Sequence, residues 1–207
     1  MEGYIKNLWP TPIYQNFAQG KEFDDIQEEL NTVIGKLNFS QPKLWKSKNN
    51  PNTHELNEKA FSSSVLDEYE CNYTLKFINK CIIEYLNLIG HISEIPSSEL
   101  QESWITKTKK GNYAHVHSHG LTDVAGVYYI NTNGKDGDLS FENLNNLFGS
   151  NYIYHTIGQK VSAPLKNGLL LLWPGNLSHS TEVNTTDNER LSLSFNINFS
   201  RSISRSK

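Results

Sequence analysis

Around residue 98 the hydrophobic period of this chain changes from 3.6 to 2, and that change restricts the possible folds more than any other feature. Before it, Phe23, Ile26, Leu30, Val33, Ile34 and Leu37 recur at threes and fours, which predicts one amphipathic helix with its acidic residues toward the start. Leu66, Tyr69, Tyr73, Phe77, Cys81, Ile82 and Tyr85 keep the same spacing and predict a second, longer helix over 65–88, ended by the segment that holds Pro96. After the change, LQESWITKTKK, AGVYYINT, DLSFEN, residues 151–156 and KNGLLLLWPG read as short strands parted by Gly- and Asn-rich turns such as NTNGKDGD. RLSLSFNINF alternates through Leu191, Leu193, Phe195, Ile197 and Phe199, so Ser192, Ser194, Asn196 and Asn198 turn to the opposite face.

Helices first and strands afterwards, with no parallel βα repeat, predict a mainly β architecture with flanking helices, an antiparallel sandwich or barrel. A chain of 207 residues is one domain's worth of core. It reads as a single unit over 1–207, with helical support mainly in 20–90 and the β core in about 98–200. The polar segment 43–64 is long enough to fold over a site as a lid.

Charge removes several function classes. The formal net charge is −3, and the charges are scattered, so the chain lacks the basic stripe that nucleic acid or an anionic membrane surface requires. The run Lys107, Lys109, Lys110 reads as a solvated strand end. The N-terminal stretch MEGYIKNLWP has no basic region followed by an apolar run, and GLLLLW is too short to span a bilayer. Cys71 and Cys81 lie ten positions apart in helical spacing, too far along the axis to bond. Two free thiols suit a cytoplasmic setting.

The chemistry concentrates in AHVHSHG, residues 114–120, with His115, His117 and His119 at alternate positions among seven histidines in all. On a regular strand they share one side. His179 follows the GLLLLW strand sixty residues later. Two histidines from one strand end and a third from a distant one form a facial set for a metal, with positions left open for substrate and water or oxygen; the plainer reading is polar decoration of a sheet. Arg190 opens the last strand and shares its polar face with Ser192. Its guanidinium fork suits a carboxylate of an organic acid; the plainer reading is a surface ion pair with Glu182, Asp187 or Glu189.

These blocks have a family resemblance. WPTPIY, ESWITKTKKGNYAHVHSHG with DVAGVYYINT, GDLSFEN, GLLLLWPGNLSHSTEV and ERLSLSFNINF together resemble a family of 2-oxoglutarate and Fe(II)-dependent oxygenases, of the prolyl hydroxylase-like superfamily, that bacterial and marine phage genomes carry. The resemblance implies a double-stranded β-helix, or jelly-roll, core with helices outside its larger sheet. It implies Fe(II) and 2-oxoglutarate as cofactors, and oxidative decarboxylation coupled to hydroxylation of a C–H bond. It assigns His117 and His179 to the first and last metal-ligand positions, and Arg190 with Ser192 to the distal carboxylate of 2-oxoglutarate.

The departure lies at the middle ligand, where the wider superfamily has aspartate and this chain has His119. Either His119 coordinates or Asp123 does so from a different loop path. Tyr128 and Asn196 are further candidates for a hydrogen bond to 2-oxoglutarate, and Trp104, Tyr113 and Trp173 for cavity walls or plain core. His115 is left for a supporting or substrate role. Two other readings stand beside this one: a cupin-like three-histidine dioxygenase without 2-oxoglutarate, and a non-catalytic β-barrel that binds a ligand or protein. A small-molecule or peptide substrate fits the enzyme reading, and the outer helices leave room for a homodimer.

Overall fold

The computed structural model describes residues 10–40, 58–60, 64–90, 98–143 and 160–200. The element order is β1 (Tyr14–Phe17), α1 (Gly20–Ile34), β2 (Phe39–Ser40), β3 (Glu58–Ala60), α2 (Val65–Glu68), α3 (Asn72–Leu88), β4 (Ser98–Thr108), β5 (Ala114–His117), β6 (Val124–Asn131), β7 (Leu139–Glu142), β8 (Lys160–Ala163), β9 (Leu169–Pro174), β10 (His179–Thr181) and β11 (Arg190–Phe199). The expected strand at 151–156 and nearly all of the expected lid lie outside the described residues; of the lid, Glu58–Ala60 form a strand and Ser64 bridges to Ser103.

Among the described residues the strands form two antiparallel sheets. The larger has the order β1-β9-β6-β11-β4-β3-β2 and the smaller β5-β10-β7-β8. Two packed sheets plus helices on one outer face are the jelly-roll arrangement expected of a double-stranded β-helix. No helix among the described residues is long and apolar enough to cross a membrane.

The period of two divides each central strand between two cores. Val124, Tyr128 and Ile130 of β6, Leu170 and Leu172 of β9, and Leu193, Phe195 and Ile197 of β11 pack outward against Ile26 and Leu30 of α1 and Phe77 and Cys81 of α3. Ala125, Val127 and Tyr129, with Leu169, Leu171 and Trp173, face inward against Leu139 and Phe141 of the smaller sheet. Strands buried on both faces lose polar alternation, which is why AGVYYINT and GLLLLW read as apolar runs. β11 keeps its alternation because its inner face lines a polar cavity.

Gly126 leaves room for the side chains of its cross-strand neighbours in the larger sheet. A Cβ there would lie 2.3 Å from Cζ of Phe195 and 2.9 Å from Cδ2 of Leu172.

The long helix expected over 65–88 is two helices. The chain breaks at Glu70, which has φ +50, and α3 restarts at Asn72 under a cap brought from elsewhere. The Glu29 carboxylate on α1 accepts hydrogen bonds from Tyr73 N at 3.0 Å, Thr74 N at 2.9 Å and Thr74 Oγ1 at 2.6 Å. A carboxylate at a helix N-terminus satisfies unpaired N–H groups and complements the helix dipole. The apolar spacing runs on through the break, so periodicity conceals it. Cys71 and Cys81 are buried free thiols, and burial pushes their pKa values up to about 12 and about 11.

Candidate metal centre

The inner face of β11 and the ends of β5 and β10 meet in one cavity. Its walls include His117, His119, His179, Arg190, Ser192, Ser194, Trp104, Thr106, Thr108, Tyr129 and Trp173. His117 ends β5 and stands opposite His179, the first residue of β10. Thr181 is opposite Ala114, so three steps along β5 match two along β10. That extra residue is a β-bulge, and it lets Ala114 and His117 both reach the cavity wall.

His119 lies beyond the strand, in a loop tied to the end of β9. Its N–H donates to Gly175 O at 2.8 Å, and Gly175 N donates to Asp123 O at 3.2 Å. Gly175 cannot be larger without moving the loop, since a Cβ would lie 2.2 Å from Thr122 O.

One ligand atom from each of His117, His119 and His179 lies within 4.8 Å of the others, and among the described residues no carboxylate joins the group. Their protons are arranged for metal binding. His117 Nδ1 donates to His115 O at 2.7 Å, His179 Nδ1 donates to Leu177 O at 2.8 Å, and His119 Nδ1 meets Asn196 Oδ1. An oxygen acceptor at each Nδ1 puts the lone pair of each ring on Nε2. Burial, reinforced by His117 and His119, lowers the His179 pKa to about 3 against the opposing pull of the Leu177 carbonyl. The imidazole therefore stays neutral, the form that coordinates.

Four sequence expectations change. His115 is out of phase with His117 because of the bulge: it packs edge-on against Tyr113 at 4.8 Å and lies outside the metal-competent group. Asp123 turns away as well, its exposed carboxylate accepting from Phe199 N at 2.9 Å. Tyr128 points to the helices, where its ring meets Phe77 and its hydroxyl accepts from Gln27 at 3.4 Å. The cavity tyrosine is Tyr129, one position on. Asn196 reaches the site with its amide engaged by His119 and Glu102.

Arg190 is 2% exposed. Nη1 donates to Asp136 O at 2.9 Å and to Gly137 O, and Nη2 to Thr108 Oγ1 at 3.3 Å. The surface ion pair does not form: Glu182, Asp187 and Glu189 pair with Lys160, Lys110 and Lys107. Nε of Arg190 and Nε1 of Trp173 are buried donors without acceptors among the described residues. Burial lowers the Arg190 pKa, against the pull of Tyr129, Asp136 and Asp138. Burial also raises Tyr129 to about 12, so its hydroxyl remains a donor. Trp104 and Trp173 do line the cavity, with ring centroids 5.8 Å from His119 and 4.9 Å from His179. Tyr113 is not among the lining residues.

Three imidazoles around one point, beside a buried cation with a donor to spare, suit a divalent metal and an anionic chelator. The fold and site define a non-haem metal oxygenase.

Comparison with known proteins agrees. Residues 102–196 match the family model described as "Putative 2OG-Fe(II) oxygenase". No curated protein matches the sequence. Among solved structures, HygX from Streptomyces hygroscopicus with nickel and 2-oxoglutarate bound aligns at TM-score 0.63 and 11% identity, over 92% of this chain and 84% of that one. A Pseudomonas putida prolyl-4-hydroxylase aligns at TM-score 0.60 and 14% identity, over 92% and 94%. A Trichoplax adhaerens prolyl hydroxylase in complex with a hypoxia inducible factor peptide fragment aligns at TM-score 0.59 and 15% identity, over 90% and 82%. At such identities the structural likeness carries the fold, the double-stranded β-helix.

The chain matches the 2-oxoglutarate and Fe(II)-dependent oxygenase family model over the residues that hold the histidine site, and it has a prolyl hydroxylase-like fold. It is an oxidoreductase that uses Fe(II) and 2-oxoglutarate.

Proposed function

We propose that the protein hydroxylates a C–H bond of a small-molecule or peptide substrate, with His117, His119 and His179 as ligands of Fe(II), and Arg190 with Ser192 as the seat of the distal carboxylate of 2-oxoglutarate. When bound, iron and 2-oxoglutarate would let dioxygen serve as the oxidant, one oxygen atom going to the substrate and one to succinate, with carbon dioxide released. The protein's own share is to bind, orient and keep water away. Three neutral imidazoles leave the whole metal charge to attract the 2-oxoglutarate dianion. Tyr129, protonated and on the same wall as Arg190, adds a donor.

Arg190 carries this reading. It is a guanidinium 2% exposed, without a carboxylate partner among the described residues and with Nε unmet. A buried charge left unpaired costs several kcal/mol. A carboxylate against the Nε and Nη2 edge would supply two parallel charge-assisted hydrogen bonds. A three-histidine dioxygenase that dispenses with 2-oxoglutarate, or a non-catalytic barrel, leaves the Nε of that cation without an acceptor.

The substrate class is drawn from the neighbours. HygX has also been solved with hygromycin B bound, and the Trichoplax adhaerens enzyme with a peptide, so the fold accepts both kinds of molecule. The sequence blocks around the site support kinship with the narrower group carried by bacterial and marine phage genomes, and the two buried free thiols suit a reducing cytoplasm.

Anaerobic calorimetry on the Fe(II)-loaded protein tests the co-substrate seat. Arg190→Ala is expected to weaken 2-oxoglutarate binding roughly 100-fold, as loss of a bidentate charged contact worth about 3 kcal/mol requires. Unchanged affinity would remove Arg190 from the role.

A further inference from the structure

Asn196 and Glu102 stand directly opposite each other in the register of β11 and β4, and opposed residues in a sheet present their side chains on one face. Asn196 Nδ2 donates to Glu102 Oε1 at 2.5 Å, while Asn196 Oδ1 meets His119 Nδ1. The register shifts just past Asn196, so a bulge in β4 begins where this pair ends.

The chemistry of the three groups determines where each proton sits. A carboxylate only accepts, so the amide edge facing Glu102 is the NH2. The edge facing His119 is then the amide oxygen, which also only accepts, and His119 Nδ1 must carry hydrogen. The lone pair falls on Nε2. With the amide rotated half a turn, its NH2 would donate to Nδ1, and Nε2 would carry the proton and be closed to a metal.

His117 and His179 take their tautomers from backbone carbonyls, which cannot rotate. His119 takes its tautomer from a side-chain amide, which can. A group that holds the amide is needed only at the histidine standing where the wider superfamily has aspartate.

We propose that Glu102 and Asn196 are a positioning relay: they lock His119 in its Nδ1–H tautomer and lend its ring part of the negative charge that a carboxylate ligand would carry. Neither touches the metal. The inference rests on His119 being a ligand, and metal-histidine sites gain affinity from such outer partners.

The test uses the full chain with 15N-labelled histidine, read as ring nitrogen spectra of the metal-free protein and as Co(II) affinity by calorimetry. His119→Ala assigns the signal. In the unsubstituted protein His119 should show one tautomer, hydrogen on Nδ1. Asn196→Ala and Glu102→Ala should each mix the tautomers and weaken Co(II) binding roughly 10- to 100-fold. Glu102→Gln, whose amide oxygen accepts the same hydrogen bond, should preserve most of both. If Asn196→Ala and Glu102→Ala keep the tautomer and the affinity while His119→Ala loses Co(II), the relay is refuted and the ligand assignment stands. If His119→Ala binds Co(II) as the unsubstituted protein does, the ligand assignment fails and takes the relay with it.

Discussion

Tyr128 and Tyr129 are adjacent in the chain and lie on opposite sides of the larger sheet, one under the helices and one in the cavity. Their hydroxyls therefore have different duties. Tyr129→Phe should lower 2-oxoglutarate affinity about fivefold, the worth of a hydrogen bond near 1 kcal/mol, whereas Tyr128→Phe should leave it unchanged, both read by calorimetry. Equal effects, or the reverse order, would place the wrong tyrosine at the site. Strand parity was legible in β11, where serine alternates with leucine and phenylalanine. It was hidden in β6, because a strand buried on both faces offers no polar residue to mark its sides. The histidines divide in the same way. Spacing brought His117, His119, His179 and Arg190 to one place, but it could not show the bulge that removes His115 from phase. Nor could it show that Asn196 answers to Glu102, which is a matter of cross-strand register.

At the scale of elements, the first helix was legible from its apolar spacing, and its end falls at Ile34, just before Gly35. The break between α2 and α3 was not, because it depends on Glu29 reaching across from another helix. Glu29→Ala should therefore destabilise the protein by about 1–2 kcal/mol, the usual cost of a lost helix cap, and lower its Tm by several degrees. Glu29→Gln, which keeps an acceptor, should lose less. Thermal unfolding followed by circular dichroism measures both, and a Glu29→Ala variant as stable as the parent would mean that α3 starts without this cap. The cap matters to the site through packing. α3 supports the outer face of β6 and β11, and the inner faces of those strands hold Tyr129, Arg190 and Ser192.

At the scale of the molecule, the change of period at residue 98 parts the long helices from most of the strands, but β1, β2 and β3 precede it and join the larger sheet. The two-sheet order required long-range pairing that no local pattern encodes. The smaller sheet is built from short strands of three or four residues, too brief for β8 and β10 to announce themselves, yet its edge strand β5 and the neighbouring β10 deliver His117 and His179. The central claim is that this cavity runs Fe(II) and 2-oxoglutarate chemistry. Its most direct test is succinate formation from 2-oxoglutarate when oxygen is admitted to the anaerobic, Fe(II)-loaded protein. The expected result is slow, iron- and oxygen-dependent succinate release even without substrate, abolished in His179→Ala. Folded protein that binds no Fe(II) or 2-oxoglutarate and releases no succinate above a protein-free blank would contradict it.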